Sequence, residues 1–268
     1  MFGANQHNKN KNTELIRINK FFTDCGILSR RAAEAEIEAG RVKVNGEKAV
    51  LGQKINPKKD KVEYKGKIVL PRRGEEKKFT YIMLNKPCGY ITTMTDDRGR
   101  KCVSELVADV GKRIYPVGRL DMYSDGLLLF TDDGDLTNTL THPKHEIPKI
   151  YHVKVKGSSD EKKIKELGKP MEIDGYTIEP VKVEIASDRS DSCILRMTLY
   201  EGRNRQIRKM CEQVHLEILS LRRVAIGDIM LGELPLGKWR HLSGAEVRYL
   251  KESSIRSKQR LERKKNNA

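Results

Sequence analysis

The segment 118–136 begins with a short polar stretch that separates two apolar runs. This arrangement constrains the fold more than any other part of the chain. The apolar runs are Ile114–Val117 and Leu127–Phe130. Short apolar runs bounded by glycine predict two buried strands joined by a loop. Asp121 lies in that loop, two residues after Arg119. A carboxylate held ionised beside a cation can act as a nucleophile, although an isolated aspartate in such a turn is more often a surface residue.

The same segment resembles the signature motif of the pseudouridine synthases that modify ribosomal RNA. The resemblance is carried by Gly118-Arg119-Leu120-Asp121, by Gly126-Leu127-Leu128-Leu129 and by Asp133-Gly134. It implies that Asp121 is the catalytic carboxylate and that Arg119 contacts the substrate. Whether Asp121 attacks the sugar or removes a neighbouring proton stays open at this point.

A strong excess of positive charge predicts a polyanionic partner. The chain has 53 lysines and arginines against 37 acidic residues, a formal net charge of +16. Such proteins bind phosphate backbones with an affinity that salt weakens. A cationic protein at a membrane surface is the alternative, but no long apolar run or amphipathic anchor supports it. Because the N-terminal segment also lacks the apolar core of a signal peptide, we expect a cytoplasmic protein.

The cysteines and histidines predict neither a metal site nor a disulfide framework. The five cysteines are scattered and form no Cys-x-x-Cys pair, which favours a reducing compartment. His142 and His145 flank Pro143-Lys144, and the proline disfavours an ordered helical face there. We interpret both histidines as loop residues and expect neither a metal nor a cofactor.

Residues 14–70 predict a small α+β domain that follows a disordered lead at residues 1–13. Apolar residues at helical spacing predict two short helices, the second of them capped by Ser29. The dipeptide Asn45-Gly46 predicts a hairpin turn. We expect a second pair of strands around residues 61–69.

The cations of this domain suit a phosphate backbone better than base edges. The RNA-binding candidates are Lys20, Arg30, Arg31, Arg41 and Lys43. An ordinary solvated face is the alternative, since glutamates are interspersed among them. The segments Ser29-Arg30-Arg31-Ala32 and 40–46 resemble the alpha-L RNA-binding domain, first known from a small-subunit ribosomal protein. The resemblance covers roughly residues 15–64 and implies an RNA-docking module rather than a catalytic one.

The remaining chain divides into a linker, a larger domain and a tail. Residues 71–78 are charged and poor in apolar side chains, which predicts a flexible linker. Residues 79–252 read as short strands separated by glycine and proline turns, and residues 253–268 form a basic tail. We predict an α+β protein in which a small alpha-L domain is joined to a catalytic domain. The catalytic domain is expected to contain a mainly antiparallel mixed sheet with flanking helices.

Further segments of the larger domain resemble other motifs of the synthase family. Leu84–Tyr90 matches the first motif, and we interpret Pro87 and Gly89 as supports for the catalytic loop. Tyr151 lies in an alternating strand that begins at Lys149. The resemblance implies that Tyr151 stacks on the target base, whereas a tyrosine in this pattern is ordinarily a core residue.

The segment Tyr200–Met210 predicts a strand that runs into a helix with a basic start, a favourable place for anions. The resemblance implies that Arg208 pairs with Asp121, a role suited to a side chain that stays charged. Neighbouring cations are candidates for substrate binding: Arg203, Arg205 and Lys209. The resemblance further implies that Leu221 lines the uracil pocket, and a core leucine on a strand would also fit that position.

The resemblance covers residues 15–252 and implies an enzyme that isomerises uridine to pseudouridine in ribosomal RNA. The segment Leu234–Trp239 favours the large-subunit enzymes of the family. A non-catalytic ribosome-assembly factor is the alternative from another class, but it gives no reason for Asp121, Tyr151 and Arg208 to occur together. Hydrolysis of a glycosidic bond usually needs two carboxylates, and no pattern provides the second. We expect ribosomal RNA as the partner of a monomeric protein.

Overall fold

The computed structural model describes residues 15–70, 78–141 and 147–254. These residues form two compact units that divide between residues 77 and 78. The α+β class is confirmed. The predicted lead, most of the predicted linker and tail, and the loop residues His142 and His145 lie outside the described residues. Within the described ranges, no helix is long and apolar enough to cross a membrane.

The smaller unit consists of two helices and short strands. Strand β1 (Ile16–Arg17) leads into α1 (Ile18–Asp24), which is followed by α2 (Arg30–Glu38). The remaining strands are β2 (Val42–Val44), β3 (Glu47–Lys48), β4 (Lys54–Ile55), β5 (Val62–Tyr64) and β6 (Lys67–Val69). One sheet has the order β3-β2-β5-β6, and β1 pairs with β4.

Local signals in the sequence account for most of this unit. The Ser29 hydroxyl caps α2 by accepting the N–H of Ala32 at 3.1 Å. Asn45 and Gly46 both have positive φ angles, as the tight turn between β2 and β3 requires. Leu15 is an apolar residue at helical spacing with Ile18 and Phe22, but it does not belong to α1. It precedes β1 and is 57% exposed, because strand pairing takes up the residues just before α1.

A nine-stranded mixed sheet forms the frame of the larger unit. The strands of the larger unit, including two outside this sheet, are in chain order β7 (Tyr81–Lys86), β8 (Tyr115–Pro116), β9 (Asp125–Thr131), β10 (Lys149–Lys156), β11 (Glu172–Ile173), β12 (Tyr176–Thr177), β13 (Lys182–Asp188), β14 (Ser192–Leu199), β15 (Ile218–Ile226), β16 (Ile229–Met230) and β17 (Trp239–His241). The main order is β13-β14-β10-β15-β9-β7-β17, with β8 beside β9 and β16 beside β15, while β11 and β12 form a separate hairpin. The pairing of β15 with β9 is parallel and the other described pairings are antiparallel, so the mainly antiparallel sheet is confirmed.

Helices flank this sheet, as predicted. They are a 3₁₀ helix (Glu105–Val110), α3 (Gly134–Thr141), α4 (Glu161–Leu167), α5 (Gln206–Gln213) and α6 (residues 244–254). A capping box opens α6, since the Glu246 N–H donates to Ser243 Oγ at 3.2 Å and the Ser243 N–H donates to the Glu246 carboxylate at 2.7 Å. Helix α6 therefore includes the first two residues that we had assigned to the tail.

The parallel contact between β9 and β15 positions the loop that contains Asp121. Asp125 lies beside Arg222 and Gly126 beside Arg223 at the start of β9. The backbones approach so closely there that a Cβ on Gly126 would lie 2.3 Å from the Arg223 carbonyl oxygen. The segment just before β9 is thereby fixed near the middle of the sheet.

Candidate active site

A cavity of about 170 Å³ lies between the loop before β9, strands β10 and β15, and the start of α5. It is smaller than the roughly 300 Å³ at which pockets for drug-sized ligands begin. The predicted site residues that line it are Arg119, Asp121, Tyr151, Arg203, Arg205 and Leu221. The fold thus brings together side chains from four separate segments of the chain.

The loop that contains Asp121 is anchored by a buried lysine. Lys86 lies at the end of β7 and is 0% exposed. Its ammonium donates to the carbonyl oxygens of Asp121 at 3.0 Å, Ser124 at 2.8 Å and Pro87 at 3.1 Å. Three carbonyl acceptors match the three protons of an ammonium group. Lys86 therefore fixes the backbone of the loop from Asp121 to Ser124.

Two further contacts hold the same loop from the segment after β7. The Thr92 hydroxyl donates to the Leu120 carbonyl at 2.7 Å. The Gly89 N–H donates to the Met122 carbonyl at 2.8 Å. These bonds leave the Asp121 side chain 30% exposed at the cavity.

Arg208 reaches the loop from α5, and its closest contact is with the backbone. Its Nη2 donates to the Tyr123 carbonyl at 2.5 Å and approaches Ser124 Oγ at 3.4 Å. Its Nε lies 3.9 Å from Asp121 Oδ2, at the outer limit of an ion pair. Arg208 does not line the cavity. Arg208 therefore holds the loop and lies beside the Asp121 carboxylate.

Tyr151 and Leu221 lie on the sheet wall of the cavity. Strands β10 and β15 are antiparallel neighbours, with Tyr151 opposite Arg223 and Val153 opposite Leu221. Leu221 is buried, and the half-buried Tyr151 ring packs against core residues on either side of it. Both side chains therefore belong to the core and to the cavity surface at once.

The three basic residues around the start of α5 separate in the structure. Arg203 stacks over the Tyr176 ring, with its Cζ 3.1 Å from the ring centroid. Arg205 is exposed and adopts a positive φ angle just before the helix. Lys209 does not line the cavity and forms an ion pair with Asp174 on the β11–β12 hairpin. Lys209 thus lies outside the cavity that Arg203 and Arg205 line.

The predicted RNA-binding residues of the smaller unit differ in their surroundings. Arg30, Arg31 and Lys43 are exposed. Arg41 forms two hydrogen bonds to the Glu36 carboxylate at 2.6 and 2.9 Å, and this contact holds the pKa of Glu36 well below its usual range, at about 2. Lys20 lies 3.9 Å from Asp24 within α1.

Sequence reasoning missed three basic residues of the site. Lys86 anchors the loop, while Lys149 and Arg223 line the inner wall of the cavity. Strand alternation could have identified Arg223, because it lies two residues after Leu221 and so shares its face of the strand. Across residues 15–70, 78–141 and 147–254, no group of three His, Cys, Asp or Glu residues is placed to hold a metal ion.

The burial of Lys86 has a consequence for stability at alkaline pH. Burial lowers the pKa of Lys86 from 10.5 to about 8. Between these two values the unfolded chain binds more protons than the folded protein, so the contribution of Lys86 to stability rises with pH. It is complete above 10.5 and is lost as the pH falls to about 8.

We expect wild type to gain unfolding free energy relative to Lys86→Met as the pH rises from about 8 to 10. Urea unfolding followed by the fluorescence of Trp239 measures this difference, since Trp239 is the single tryptophan and lies in the same sheet. A difference that stays constant across this range would contradict the assignment.

Comparisons with known proteins identify one family that the chain resembles over most of its length. The sequence model of the RNA pseudouridylate synthase family matches residues 80–213. An uncharacterized RNA pseudouridine synthase of Aquifex aeolicus is 41% identical over 88% of this chain and 93% of its own length. The ribosomal large subunit pseudouridine synthase B of Bacillus subtilis is 37% identical over 88% and 95%. The dual-specificity RNA pseudouridine synthase RluF of Escherichia coli K12 is 36% identical over 87% and 77%.

A solved structure of a pseudouridylate synthase is similar to this chain in its fold as well. The crystal structure of a pseudouridylate synthase superposes with a TM-score of 0.61 at 29% identity, covering 88% of this chain and 99% of the other. Family, relatives and structure all point to the same isomerase activity. The chain belongs to the RNA pseudouridylate synthase family.

Proposed function

We propose that this protein converts uridine to pseudouridine in ribosomal RNA, with Asp121 as the catalytic carboxylate. The observation that supports this most is the position of Asp121. Its backbone is held by Lys86, and its side chain lines a small cavity together with Tyr151. A cavity of about 170 Å³ suits one pyrimidine ring. The target base must therefore leave its stack to enter, as bases do in other enzymes that act on them.

The chemistry of isomerisation matches the groups that line the cavity. The bond between sugar C1′ and ring N1 breaks, the ring turns, and C5 bonds to C1′. A single carboxylate assists the cleavage, either by attacking C1′ or by removing the neighbouring sugar proton. Tyr151 provides an aromatic surface on which the detached ring rests, as aromatic side chains do for splayed bases.

The substrate class rests on charge and on the relatives. Three exposed cations at the cavity are suited to phosphates on both sides of the target nucleotide: Arg119, Arg203 and Arg205. The Bacillus subtilis relative is a ribosomal large subunit pseudouridine synthase by name. We infer that this protein acts on large-subunit ribosomal RNA, as a monomer in the cytoplasm. A non-catalytic assembly factor would not need an anchored carboxylate facing a cavity.

We further propose that residues 14–70 form an alpha-L RNA-binding domain, joined by a linker at residues 71–78 to the catalytic domain at residues 79–252. Exposed Arg30 and Arg31 at the start of α2 support this role, since cations beside a helix N-terminus suit phosphate. Residues 1–13 would be a disordered lead and residues 253–268 a basic tail.

Charge reversal in α2 tests this proposal. The double variant Arg30→Glu, Arg31→Glu should weaken RNA binding and make the salt dependence less steep, because about one released counterion is lost per phosphate contact. Filter binding at several salt concentrations measures both quantities. Glu38→Gln and Glu47→Gln serve as matched controls, since both residues are exposed acids of the same unit. An unchanged salt slope would show that α2 contacts something other than RNA.

Mapping pseudouridine in ribosomal RNA tests the proposed function directly. A strain that lacks the gene should lose pseudouridine at a specific uridine of large-subunit RNA, and the wild-type gene should restore it. A complete set of modified uridines in the deletion strain would refute the proposal.

A further inference from the structure

The inner wall of the cavity contains two cations whose role the position of Asp121 does not explain. Lys149 begins β10 and Arg223 lies on β15. Both line the cavity. Arg223 lies directly opposite Tyr151 across the antiparallel pair, and such neighbours share one face of a sheet. The two cations therefore lie on the wall against which Tyr151 would hold the base.

Arg223 has a hydrogen-bond donor that is left unused. The residue is 3% exposed, and its Nε donates to the Leu127 carbonyl at 2.8 Å. Its Nη1 lies 3.5 Å from the Arg119 carbonyl. Its Nη2 is buried and has no hydrogen-bond partner among the described residues. A buried guanidinium nitrogen without an acceptor is costly, so this position is suited to an acceptor that arrives with a ligand.

Lys149 adds a second donor to the same wall. Its ammonium donates to the Ile147 carbonyl at 3.0 Å, which uses one of three protons. Burial, followed by repulsion from Arg223, lowers the pKa of Lys149 to about 8, so the side chain stays charged at neutral pH. The carboxylates that line the cavity are Asp121 and Glu201.

Neither carboxylate neutralises this pair of cations in the described part of the chain. Glu201 accepts hydrogen bonds from Arg203 at 3.1 Å and from Gln206 at 2.9 Å. Asp121 lies beside Arg208. The inner wall consequently has an excess of positive charge that a ligand with negative charge would balance.

We propose that Lys149 and Arg223 donate hydrogen bonds to the carbonyl oxygens of the uracil ring and stabilise the negative charge that the ring acquires during isomerisation. This inference rests on the proposed function. When the C1′–N1 bond breaks, its electron pair stays on the ring and spreads over N1, O2 and O4. C5 then bonds to C1′ and loses its hydrogen as a proton, and N1 takes up a proton, so the product is an isomer of uridine.

The inference holds for either role of Asp121. Attack on the sugar and removal of its proton both release the ring with the electron pair of the broken bond. Fixed cations at the oxygens where charge develops are the arrangement that stabilises transition states most strongly in enzymes. Lys149 and Arg223 would thus act on the leaving ring while Asp121 acts on the sugar.

A change of the leaving base tests whether Lys149 and Arg223 act on the ring while Asp121 acts on the sugar. Two target RNAs are prepared, one with uridine and one with 5-fluorouridine at the modified position. Fluorine withdraws electrons and stabilises the ring anion, so its cleavage depends less on the protein. Lys149→Met should slow the single-turnover loss of uridine by roughly 10²-fold, with a several-fold smaller effect on 5-fluorouridine. Because fluorine occupies C5, the fluorinated ring cannot lose a proton there as uracil does. Both rates are therefore followed as disappearance of the starting nucleoside, by chromatography of the digested RNA.

Two further variants complete the test. Lys154→Met removes a cation from the opposite face of the same strand and should leave both rates unchanged. Lys149→Arg keeps the charge, and it should retain most of the uridine rate even where Lys149→Met folds poorly. An equal loss on both RNAs in Lys149→Met, or an inactive Lys149→Arg that is folded, would overturn the inference. Wild type that converts neither RNA would overturn the proposed function and this inference with it.

Discussion

Replacing Asp121 with asparagine is expected to abolish pseudouridine formation while leaving RNA affinity within a few-fold of wild type. The amide has the same size as the carboxylate and preserves the loop, but it can neither attack the sugar nor accept its proton. We expect a rate loss of at least about 10⁴-fold, the scale on which loss of a single essential catalytic group acts in other enzymes. RNA binding persists because it is distributed over many cations.

Pseudouridine formation on ribosomal RNA and equilibrium RNA binding, measured in parallel, separate these two effects. Asp228→Asn is the matched control, since Asp228 is exposed between β15 and β16 and does not line the cavity. It should retain the wild-type rate. Substantial activity in Asp121→Asn would remove Asp121 from the mechanism.

A second large effect is expected at Gly126, this time on stability. The residue has φ +106°, and a Cβ there would lie 2.3 Å from the Arg223 carbonyl oxygen and 2.9 Å from the Arg223 nitrogen. Because both contacts are with backbone, β9 and β15 must separate to accept a side chain. Gly126→Ala combines about 1–3 kcal/mol of backbone strain with about 1–3 kcal/mol of overpacking. We expect the larger unit to lose about 4 kcal/mol.

Such a loss lowers the melting temperature by roughly 10 °C for a unit of this size. Thermal unfolding followed by Trp239 fluorescence measures it, because that side chain lies on β17 of the same sheet. Gly134→Ala is the matched control. It lies at the start of α3, and no atom is within 4 Å of its added Cβ, so the change should stay within about 1 kcal/mol. Equal melting temperatures for the two variants would show that β9 and β15 can separate freely.

The parts of the structure that local signals specify were predictable from the sequence. The loop around Asp121 has apolar strands on both sides, Ser29 caps a helix and Asn45 opens a hairpin, each within a few neighbouring residues. The resemblance to the synthase family placed Tyr151 and Leu221, and both line the cavity. Alternation alone could not have separated a core tyrosine from one at a cavity, and Tyr151 both packs against the core and lines the cavity.

The remaining features depend on pairings between distant segments. In the sequence, Lys86 is a lysine before a proline, and no local signal indicates that its side chain is buried. It becomes buried because β7 pairs with β9, which brings the loop with Asp121 over its ammonium group. Arg223 reaches the cavity through the parallel pairing of β15 with β9, for which the sequence carries no signal.

Helix geometry explains the different positions of Arg208 and Lys209. Successive residues of an α-helix differ by about 100° in direction. Arg208 points to the Asp121 loop, whereas Lys209 points to the β11–β12 hairpin and pairs with Asp174. Basic character at the start of the helix could not distinguish the two residues, because it says nothing about rotation of the helix against its neighbours.

The anchoring of the Asp121 loop also sets when the cavity around Asp121 can form. Lys86 and Arg208 hold the loop, and Arg223 holds Leu127 in the strand that follows it. The bond from Arg208 to Tyr123 spans 85 residues of sequence, and the bond from Arg223 to Leu127 spans 96. Contacts of such separation form only after the intervening chain is present, and they slow folding. During synthesis, Asp121 therefore leaves the ribosome after Lys86 but long before Arg208 and Arg223. The nascent chain has a complete signature loop but no assembled site until β15 has emerged.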